Sequence, residues 1–355
     1  MKRALITGVT GQDGSYLAEL LLEKGYLVYG LCRFVSDRTT IEISRLKKII
    51  NNNNFKLIYG DITDSNNITR VIKEIMPDEI YNLAGLSLVK TTFDSPEYTA
   101  NVNGLGPLRI LEAIRILNLE KKTKFYQAST SELYGKAKNF PQTENTPFSP
   151  CSPYACAKLY AYWITATYRE SYNIFAVNGI LFNHESKRRG KDFVTRKITT
   201  AATRIKLGLQ EKLYLGNLSA ERDFGYAKDY VIGMWEMLQN RKPKDYILAT
   251  QNSISIRELC KIVFKELGID IEFKGKGTEE VGINTKTGKE IIFVDKKLFR
   301  PCDVPKLVGD ASLAKKELNW EPKYNINSII KEMVAEDLKE AQKEIKVKSS
   351  VLECK

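Results

Sequence analysis

The sequence predicts an α/β fold: a doubly wound parallel sheet with a smaller mixed domain interleaved toward the C-terminus. Three observations carry this. Short apolar runs alternate with stretches of helical period through residue 181, a glycine-rich turn closes the first run, and the texture changes after Asn183. Strands covered on both faces read as near-continuous apolar runs, and the helices between them supply right-handed crossovers.

Taken in order, residues 4–7, 27–32, 55–59, 79–83, 124–128 and 175–181 read as buried strands. Residues 15–23, 41–50, 66–75, 102–117 and 154–171 place apolar side chains at helical spacing. The asparagine run 51–54 reads as a loop after a helix. Beyond Asn183, residues 188–192 are basic and Gly-bearing and read as a loop. A helix follows at 194–207, then strand-like pieces at 212–215, 245–249 and 291–294, and two late helices at 256–267 and 326–343. Residues 276–290, rich in Gly, Thr and Lys, read as an exposed hairpin or loop. The expected organisation is a nucleotide-binding domain over 1–182 with an interleaved return at 224–250. A substrate-binding domain then spans 183–223 and 251–343, and a frayed tail 344–355.

A chain of 355 residues suggests about two domains. With 43% hydrophobic and 28% charged residues it can bury a large core, which excludes wholesale disorder. No apolar run approaches the roughly 18 residues of a membrane span. The opening residues 1–8 pass straight into a strand with no signal-peptide pattern. Cys32, Cys151, Cys156, Cys260, Cys302 and Cys354 are scattered, and His184 is the only histidine. A zinc site or disulfide framework is therefore not expected, and the reading is a cytoplasmic, metal-independent protein with no membrane association. The net charge of +12 is spread along the chain, densest at Lys187-Arg188-Arg189 with Lys191 and in the tail. Without interleaved aromatics this reads as solvated lysines plus a phosphate site, with no nucleic-acid partner.

The first strand runs into Thr7-Gly8-Val9-Thr10-Gly11-Gln12-Asp13-Gly14 and then a helix. Gly8 allows the tight turn, Gly11 lets backbone approach a pyrophosphate, and Gly14 permits close helix–strand packing. The helix N-terminus then offers its free N–H groups to the phosphates, the signature of a Rossmann-type dinucleotide site. The second strand ends in Arg33 rather than an acid, which favours the 2′-phosphate of NADP over the bare ribose of NAD. Asp61, after the third strand, is placed to accept from the adenine amino group, and Leu83-Ala84-Gly85 offer small residues along the ribose and nicotinamide.

Tyr154 and Lys158 stand four apart on one helix face. A phenol of pKa about 10 is a poor base at neutral pH. A neighbouring ammonium and a cationic nicotinamide are expected to lower it, so that Tyr154 takes a substrate hydroxyl proton while hydride leaves the same carbon. Ser129-Thr130-Ser131-Glu132 follow the fifth strand, at the end that faces the ligand crevice. Thr130 supplies a hydroxyl beside Tyr154, and Glu132 supplies a second base, which a plain dehydrogenase does not need.

These motifs resemble the extended short-chain dehydrogenase/reductases, and among them the sugar-nucleotide 4,6-dehydratases that act on GDP-mannose. The resemblance covers nearly the whole chain. It is carried by residues 8–22, 125–135, 152–165, 183–186, 188–190, 193–199 and 215–218, and by Arg222-Asp223. Ser131 matches the GDP-mannose enzymes, where the dTDP-glucose enzymes carry Asp. The resemblance implies Thr130, Glu132, Tyr154 and Lys158 as catalytic. It assigns Gly8, Val9, Thr10, Gly11, Gln12, Asp13, Gly14, Arg33, Asp61, Ile62, Leu83, Ala84, Gly85, Leu86, Ser87, Tyr98, Lys158, His184 and Arg189 to NADP. Ser87, Ser131, Asn183, Lys197, Arg222, Arg300 and Asp303 fall on the GDP-sugar. It further implies C4 oxidation, elimination of water across C5 and C6, and hydride return to C6, giving GDP-4-keto-6-deoxymannose from a homodimer or homotetramer whose tetramer contacts lie within residues 33–45.

Three departures from the family pattern stand out: Leu86 and Leu88 replace Gln and His, Phe34 replaces a second Arg, and Cys302-Asp303 replace Thr-Glu. Apolar Leu86 and Leu88 keep open the 4,6-dehydration of another GDP-sugar, such as a heptose. An epimerase or ketosugar reductase of the same fold, and a non-catalytic RNA-binding member, are the remaining alternatives.

Overall fold

A computed structural model describes residues 1–34 and 41–353. The tight pairing of apolar runs gives six parallel strands: β1 (Arg3–Thr7), β2 (Leu27–Cys32), β3 (Phe55–Tyr59), β4 (Glu79–Asn82), β5 (Lys124–Ala128) and β6 (Ala176–Leu181). They lie in the order β3-β2-β1-β4-β5-β6, and a seventh parallel strand, Tyr246–Leu248, adds beyond β6. The chain order reverses between β1 and β4, and ligands bind at such a switch point, outside the C-terminal strand ends.

The intervening helices are α1 (Gln12–Glu23), α2 (Ile41–Ser44), α3 (Ser65–Ile75), α4 (Pro96–Ala100), α5 (Gly106–Ile116) and α6 (Pro153–Tyr172). On one face α3, α5 and α6 pack together, burying Ile68, Ile72, Ile110, Leu111 and Ile114 against the sheet. On the other, Leu17 and Leu21 of α1 meet Val231 and Met234 of the helix Ala227–Gln239. Full burial of each such side chain contributes about 1.5–3 kcal/mol.

The remaining elements are β7 (Asn183–Glu185), α7 (Val194–Lys206), β8 (Leu213–Leu215), β9 (Glu221–Tyr226), α8 (Ala227–Gln239), β10 (Tyr246–Leu248), β11 (Ser253–Ser255), α9 (Ile256–Glu266), β12 (Ile271–Lys274), β13 (Val281–Asn284), β14 (Glu290–Val294), β15 (Lys306–Leu307), α10 (Ser312–Leu318) and α11 (Ile326–Glu353). They form two small sheets, β11-β9-β15 with β7 also paired to β9, and β12-β13-β14-β8. A second core of Ile198, Leu215, Leu259, Val263, Phe264, Ile292, Ile330 and Met333 lies among α7, α9, α11 and these strands.

The structure departs from the sequence reading in three places. Residues 41–50 form one helical turn followed by hydrogen-bonded turns with i to i−3 bonds, Leu46 to Ile43 and Ile49 to Leu46 among them. Ile43, Ser44, Ile49 and Ile50 are β-branched or backbone-competing residues that favour a regular helix poorly. Residues 304–320, expected in the second domain, pack into the first core through Val304, Leu307, Ala314, Leu318 and Trp320. The tail expected to fray from Glu344 is helical through Glu353, because α11 packs along α7 and Arg204 pairs with Glu344. Within 276–290 the chain makes the β13–β14 turn of an antiparallel hairpin.

Candidate active site

A cleft of about 990 Å³ opens over the C-terminal ends of β1, β2, β4 and β5 and is closed on its far side by β7, α7, β9 and the loop after β14. Of the residues read from the sequence as site residues, all but Val9 line it. Val9 is fully buried, and a Cβ at Gly30 would meet its side chain at 2.7 Å, so it packs the floor instead.

The first strand–helix turn shows why three glycines are needed. Gly8 sits at φ +69°, and a Cβ there would lie 2.8 Å from the Ala84 backbone nitrogen. A Cβ at Gly14 would lie 2.4 Å from the Gly8 carbonyl oxygen, whereas one at Gly11 would meet only that oxygen, at 3.2 Å. Gly11 is also the N-cap of α1 and gives it no side-chain cap. The first-turn N–H groups of α1 thus face the cleft unsatisfied by any cap, as an anion cradle requires. Buried Ser129, whose hydroxyl has no hydrogen-bond partner, adds a polar group to the same wall.

Several cradle residues are committed to the protein rather than free for a ligand. The Gln12 amide donates to the His184 carbonyl (3.0 Å) and to Asp13 (3.1 Å), and accepts from Ser186 (2.9 Å). Asp13 Oδ2 lies 2.8 Å from His184 Nε2, and His184 Nδ1 lies 2.7 Å from the Phe182 carbonyl oxygen. Burial works to lower the His184 pKa, but the charge and hydrogen bond of Asp13 outweigh it and hold the imidazole above its usual range. Burial likewise works to raise the Asp13 carboxyl, and His184 holds it below its usual range. With a carbonyl and a carboxylate as its two partners, His184 is a doubly protonated imidazolium, stacked 4.5 Å from the Tyr230 ring. A charge so buried must be paired, so Asp13 and His184 fasten α1 to β7 and support the cradle from below. Arg189 is ion-paired, its Nε 3.2 Å from the Glu185 carboxylate without a hydrogen bond, and lies over the Phe193 ring. Arg33, by contrast, is exposed and donates to Tyr98 (2.8 Å) at the open end of the cleft. Asp61 accepts from Thr63 through Oδ1 alone, at 2.9 Å from its N–H and 2.8 Å from its hydroxyl.

A buried polar chain crosses the strand ends beneath the cleft. Thr7 donates to Asn82 (2.6 Å), Asn82 to Gln127 (2.8 Å), and Gln127 to the Ala128 carbonyl (2.9 Å). The same carbonyl accepts from Lys158 Nζ at 2.8 Å. Burial brings the Lys158 pKa down to about 8. Tyr154 lies one helical turn before it, in a helix started by Ser152, which accepts from the Ala155 N–H, and by Pro153. Burial pushes the Tyr154 phenol up to about 12, with the Thr130 hydroxyl pulling the other way. The lowering expected from Lys158 is therefore not supplied by the protein's own groups. The ammonium is engaged by Ala128 and stands 6.0 Å from the Tyr154 ring centroid.

Thr130 caps the short turn Ser131–Leu133 by accepting from the Glu132 N–H (3.2 Å), which leaves the Glu132 carboxylate facing the cleft. There it pairs with Arg300 at 3.2 Å. Arg222 is buried and donates to the Glu221 and Val304 carbonyls, 2.8 Å each, and Asp303 accepts from Asn217 at 2.7 Å. Lys197 and Asn183 line the same end, and burial, reinforced by nearby Lys90, holds the Lys197 pKa below its usual range. Among the described residues no group of His, Cys, Asp and Glu forms a metal site, and no helix is long and apolar enough to cross a membrane.

The sequence reading missed Asn103 and Arg45. Asn103 accepts from the Leu86 N–H (2.8 Å) and donates to the Leu86 carbonyl (3.0 Å) from a π-helical turn, Asn101–Leu105. It thereby holds the loop carrying Gly85, Leu86, Ser87 and Leu88 against the cleft. The visible signal was Asn103-Gly104, two poor helix formers at the start of an expected helix. Arg45 also lines the cleft and donates to the Thr10 carbonyl (2.9 Å).

The family model of GDP-mannose 4,6 dehydratase matches residues 5–333. The GDP-mannose 4,6-dehydratase of Vibrio cholerae serotype O1 is 55% identical, over 96% of this chain and 95% of that protein. The Homo sapiens GDP-mannose 4,6 dehydratase is 53% identical, over 94% of this chain and 91% of its own. Among solved structures, the Bacillus cereus UDP-glucuronic acid 4-epimerase superposes with a TM-score of 0.79 at 22% identity, covering 94% of this chain and 98% of that one. The dTDP-glucose 4,6-dehydratase of Bacillus anthracis gives 0.77 at 23% identity, covering 96% and 98%. These two likenesses show the shared fold.

Proposed function

Because the chain belongs to the GDP-mannose 4,6-dehydratase family, we propose that its cleft carries out the 4,6-dehydration of GDP-mannose with NADP as the resident cofactor. The observation that carries the assignment of roles is the convergence on one cleft of Tyr154 with Lys158, and of Glu132 as a second base. An epimerase or a ketosugar reductase has no use for that second base, and the relatives above 50% identity favour the dehydratase over those readings, over another GDP-sugar and over an RNA-binding role.

The cradle of Gly8, Gly11 and Gly14 at the uncapped N-terminus of α1 suits a dinucleotide pyrophosphate. Arg33 beside Tyr98 suits a 2′-phosphate, and Asp61 Oδ2 an adenine amino group. When bound, NADP supplies the hydride acceptor that takes the C4 hydride and later returns it to C6. Tyr154 takes the C4 hydroxyl proton, with Thr130 hydrogen-bonding the same oxygen. A phenol pushed up to about 12 needs a cation to act as that base near neutral pH; Lys158 Nζ, bonded to the Ala128 carbonyl and 6.0 Å from the ring centroid, leaves that lowering to the positive charge a bound nicotinamide would bring. Oxidation at C4 acidifies the C5 proton, which Glu132 removes and passes to the departing C6 hydroxyl so that it leaves as water; a proton returns to C5 when hydride reaches C6. Arg222, Arg300, Lys197, Asn183, Ser87, Ser131 and Asp303 hold the nucleotide sugar, the arginines by charge-assisted bonds to the diphosphate.

Leu105, Tyr160 and Trp163 are exposed along the α4–α6 side and support self-association. We propose a homodimer or homotetramer working in the cytoplasm; of the 33–45 segment expected to carry tetramer contacts, residues 35–40 lie outside the described residues.

The test is mass spectrometry of GDP-mannose incubated with the purified protein. Loss of one water from the sugar nucleotide is expected, and Glu132→Gln should slow it by about two to four orders of magnitude while cofactor binding survives. Near-normal turnover by that variant would remove Glu132 from the mechanism.

A further inference from the structure

The ion pair between Glu132 and Arg300 joins two residues that the proposed reaction uses in different ways. Glu132 is the base for C5, and Arg300 holds the diphosphate. They come from opposite walls, Glu132 from the turn after β5 and Arg300 from the loop after β14. A carboxylate hydrogen-bonded to a guanidinium has one oxygen occupied and is a masked base.

The two arginines here are held very differently. Arg222 is buried and anchored by two backbone carbonyls at 2.8 Å. Arg300 lies in irregular chain, its side chain is 31% exposed, and among the described residues it makes a single 3.2 Å bond, to Glu132. The other carboxylate at this end, Asp303, is committed elsewhere. It accepts from Asn217 and from the Val304 N–H at 3.0 Å. Glu132 is therefore the anion that Arg300 satisfies before a nucleotide arrives.

Resting on the dehydratase reading, we infer that Arg300 is a latch on Glu132, and that the substrate's diphosphate releases the base by drawing Arg300 away. A diphosphate carries more charge than one carboxylate and matches the guanidinium fork bidentately, so it wins Arg300 in competition. Arg222 does not move and marks where the diphosphate lands. The C5 base is then unmasked only when the nucleotide of a substrate is seated, and Arg300 acts as a positioning residue as well as a ligand for phosphate. With one contact and a 31% exposed side chain, Arg300 is the partner of the pair that can swing away.

The experiment is calorimetric titration of the cofactor-loaded protein with GDP, comparing the parent with Glu132→Gln, Arg300→Met and the double variant. If GDP must first break the pair, Glu132→Gln binds GDP about two- to fivefold more tightly than the parent, and that gain disappears when Arg300 is already Met. Glu132→Ala should show the same gain, which guards against a misfolded Gln variant. Absence of any gain, or a gain that persists in the Arg300→Met background, overturns the latch, the latter because it reports only the removal of a negative charge near a bound anion. Failure of the parent itself to bind GDP overturns the dehydratase reading, and the latch with it.

Discussion

Replacing Asn103 by Ala should loosen the loop of residues 85–88 that lines the cleft. The Asn103 side chain makes two hydrogen bonds to one residue, accepting from the Leu86 N–H at 2.8 Å and donating to the Leu86 carbonyl at 3.0 Å. A typical net contribution is about 0.5–1.5 kcal/mol per bond. Leu86 is only half-buried, so water can replace part of each bond, and a combined loss of about 1–2 kcal/mol follows. That corresponds to about a 5- to 30-fold change in the closed-to-open ratio. Gly85 lies between this clamp and Lys158. A Cβ on it would stand 3.0 Å from Asn103 Oδ1 and 3.7 Å from Lys158 Nζ, so motion of the loop reaches Lys158. Native-state hydrogen exchange should show the Leu86 amide exchanging about 5- to 30-fold faster in Asn103→Ala, with the β-sheet amides unchanged. Asn103→Asp should be at least as damaging. It keeps the acceptor for the N–H but sets a second anionic oxygen against the Leu86 carbonyl. If the Asp variant protects Leu86 as well as the parent does, the two-bond clamp is wrong.

Three further outcomes are expected. Arg33→Ala should weaken NADP about 10- to 150-fold, the effect of losing one charge-assisted bond, and leave NAD nearly unchanged; equal affinities of the parent for NAD and NADP would refute the 2′-phosphate assignment. The Asp13–His184 pair makes stability depend on pH in a stated direction. His184 titrates above its ordinary 6.5, so its contribution is complete below about 6.5 and is lost as pH rises through the raised value, while Asp13, held below 3.8, loses its share only as pH falls through that lower value. The Tm of His184→Asn should therefore fall less steeply than the parent's on the alkaline side of pH 6.5, and parallel curves would rule the pair out as the source. Lys158, with its pKa brought down to about 8 from 10.5, should react with trace acetic anhydride in the ligand-free protein with a midpoint near pH 8, and a midpoint near 10 by mass-spectrometric mapping would refute its burial as a charged group.

Local pattern alone made the sheet, the glycine cradle and the Tyr154–Lys158 pair legible. Each is written within a few consecutive residues or in a simple period, as in the run from Thr7 to Gly14 or the four-residue spacing on α6. Pattern also marks β10, within 245–249, but α8 is covered only by the interval 224–250, because it is apolar over most of its surface and carries little amphipathic signal. Resemblance supplied the remaining expected site residues, which the structure gathers along one cleft, without saying what each one touches. Tertiary structure decided that. Asp13 and His184, and likewise Glu132 and Arg300, are far apart in the chain and meet only because β7 and the loop after β14 cross the switch point. It also decided that Val9 is core and that residues 304–320 belong to the first core. The Tyr154 phenol rises rather than falls for the same reason: its pKa answers to burial and to the orientation of neighbouring charges. Spacing along a chain determines which face a side chain occupies. Dielectric environment and long-range pairing exist only once the chain has closed around the site.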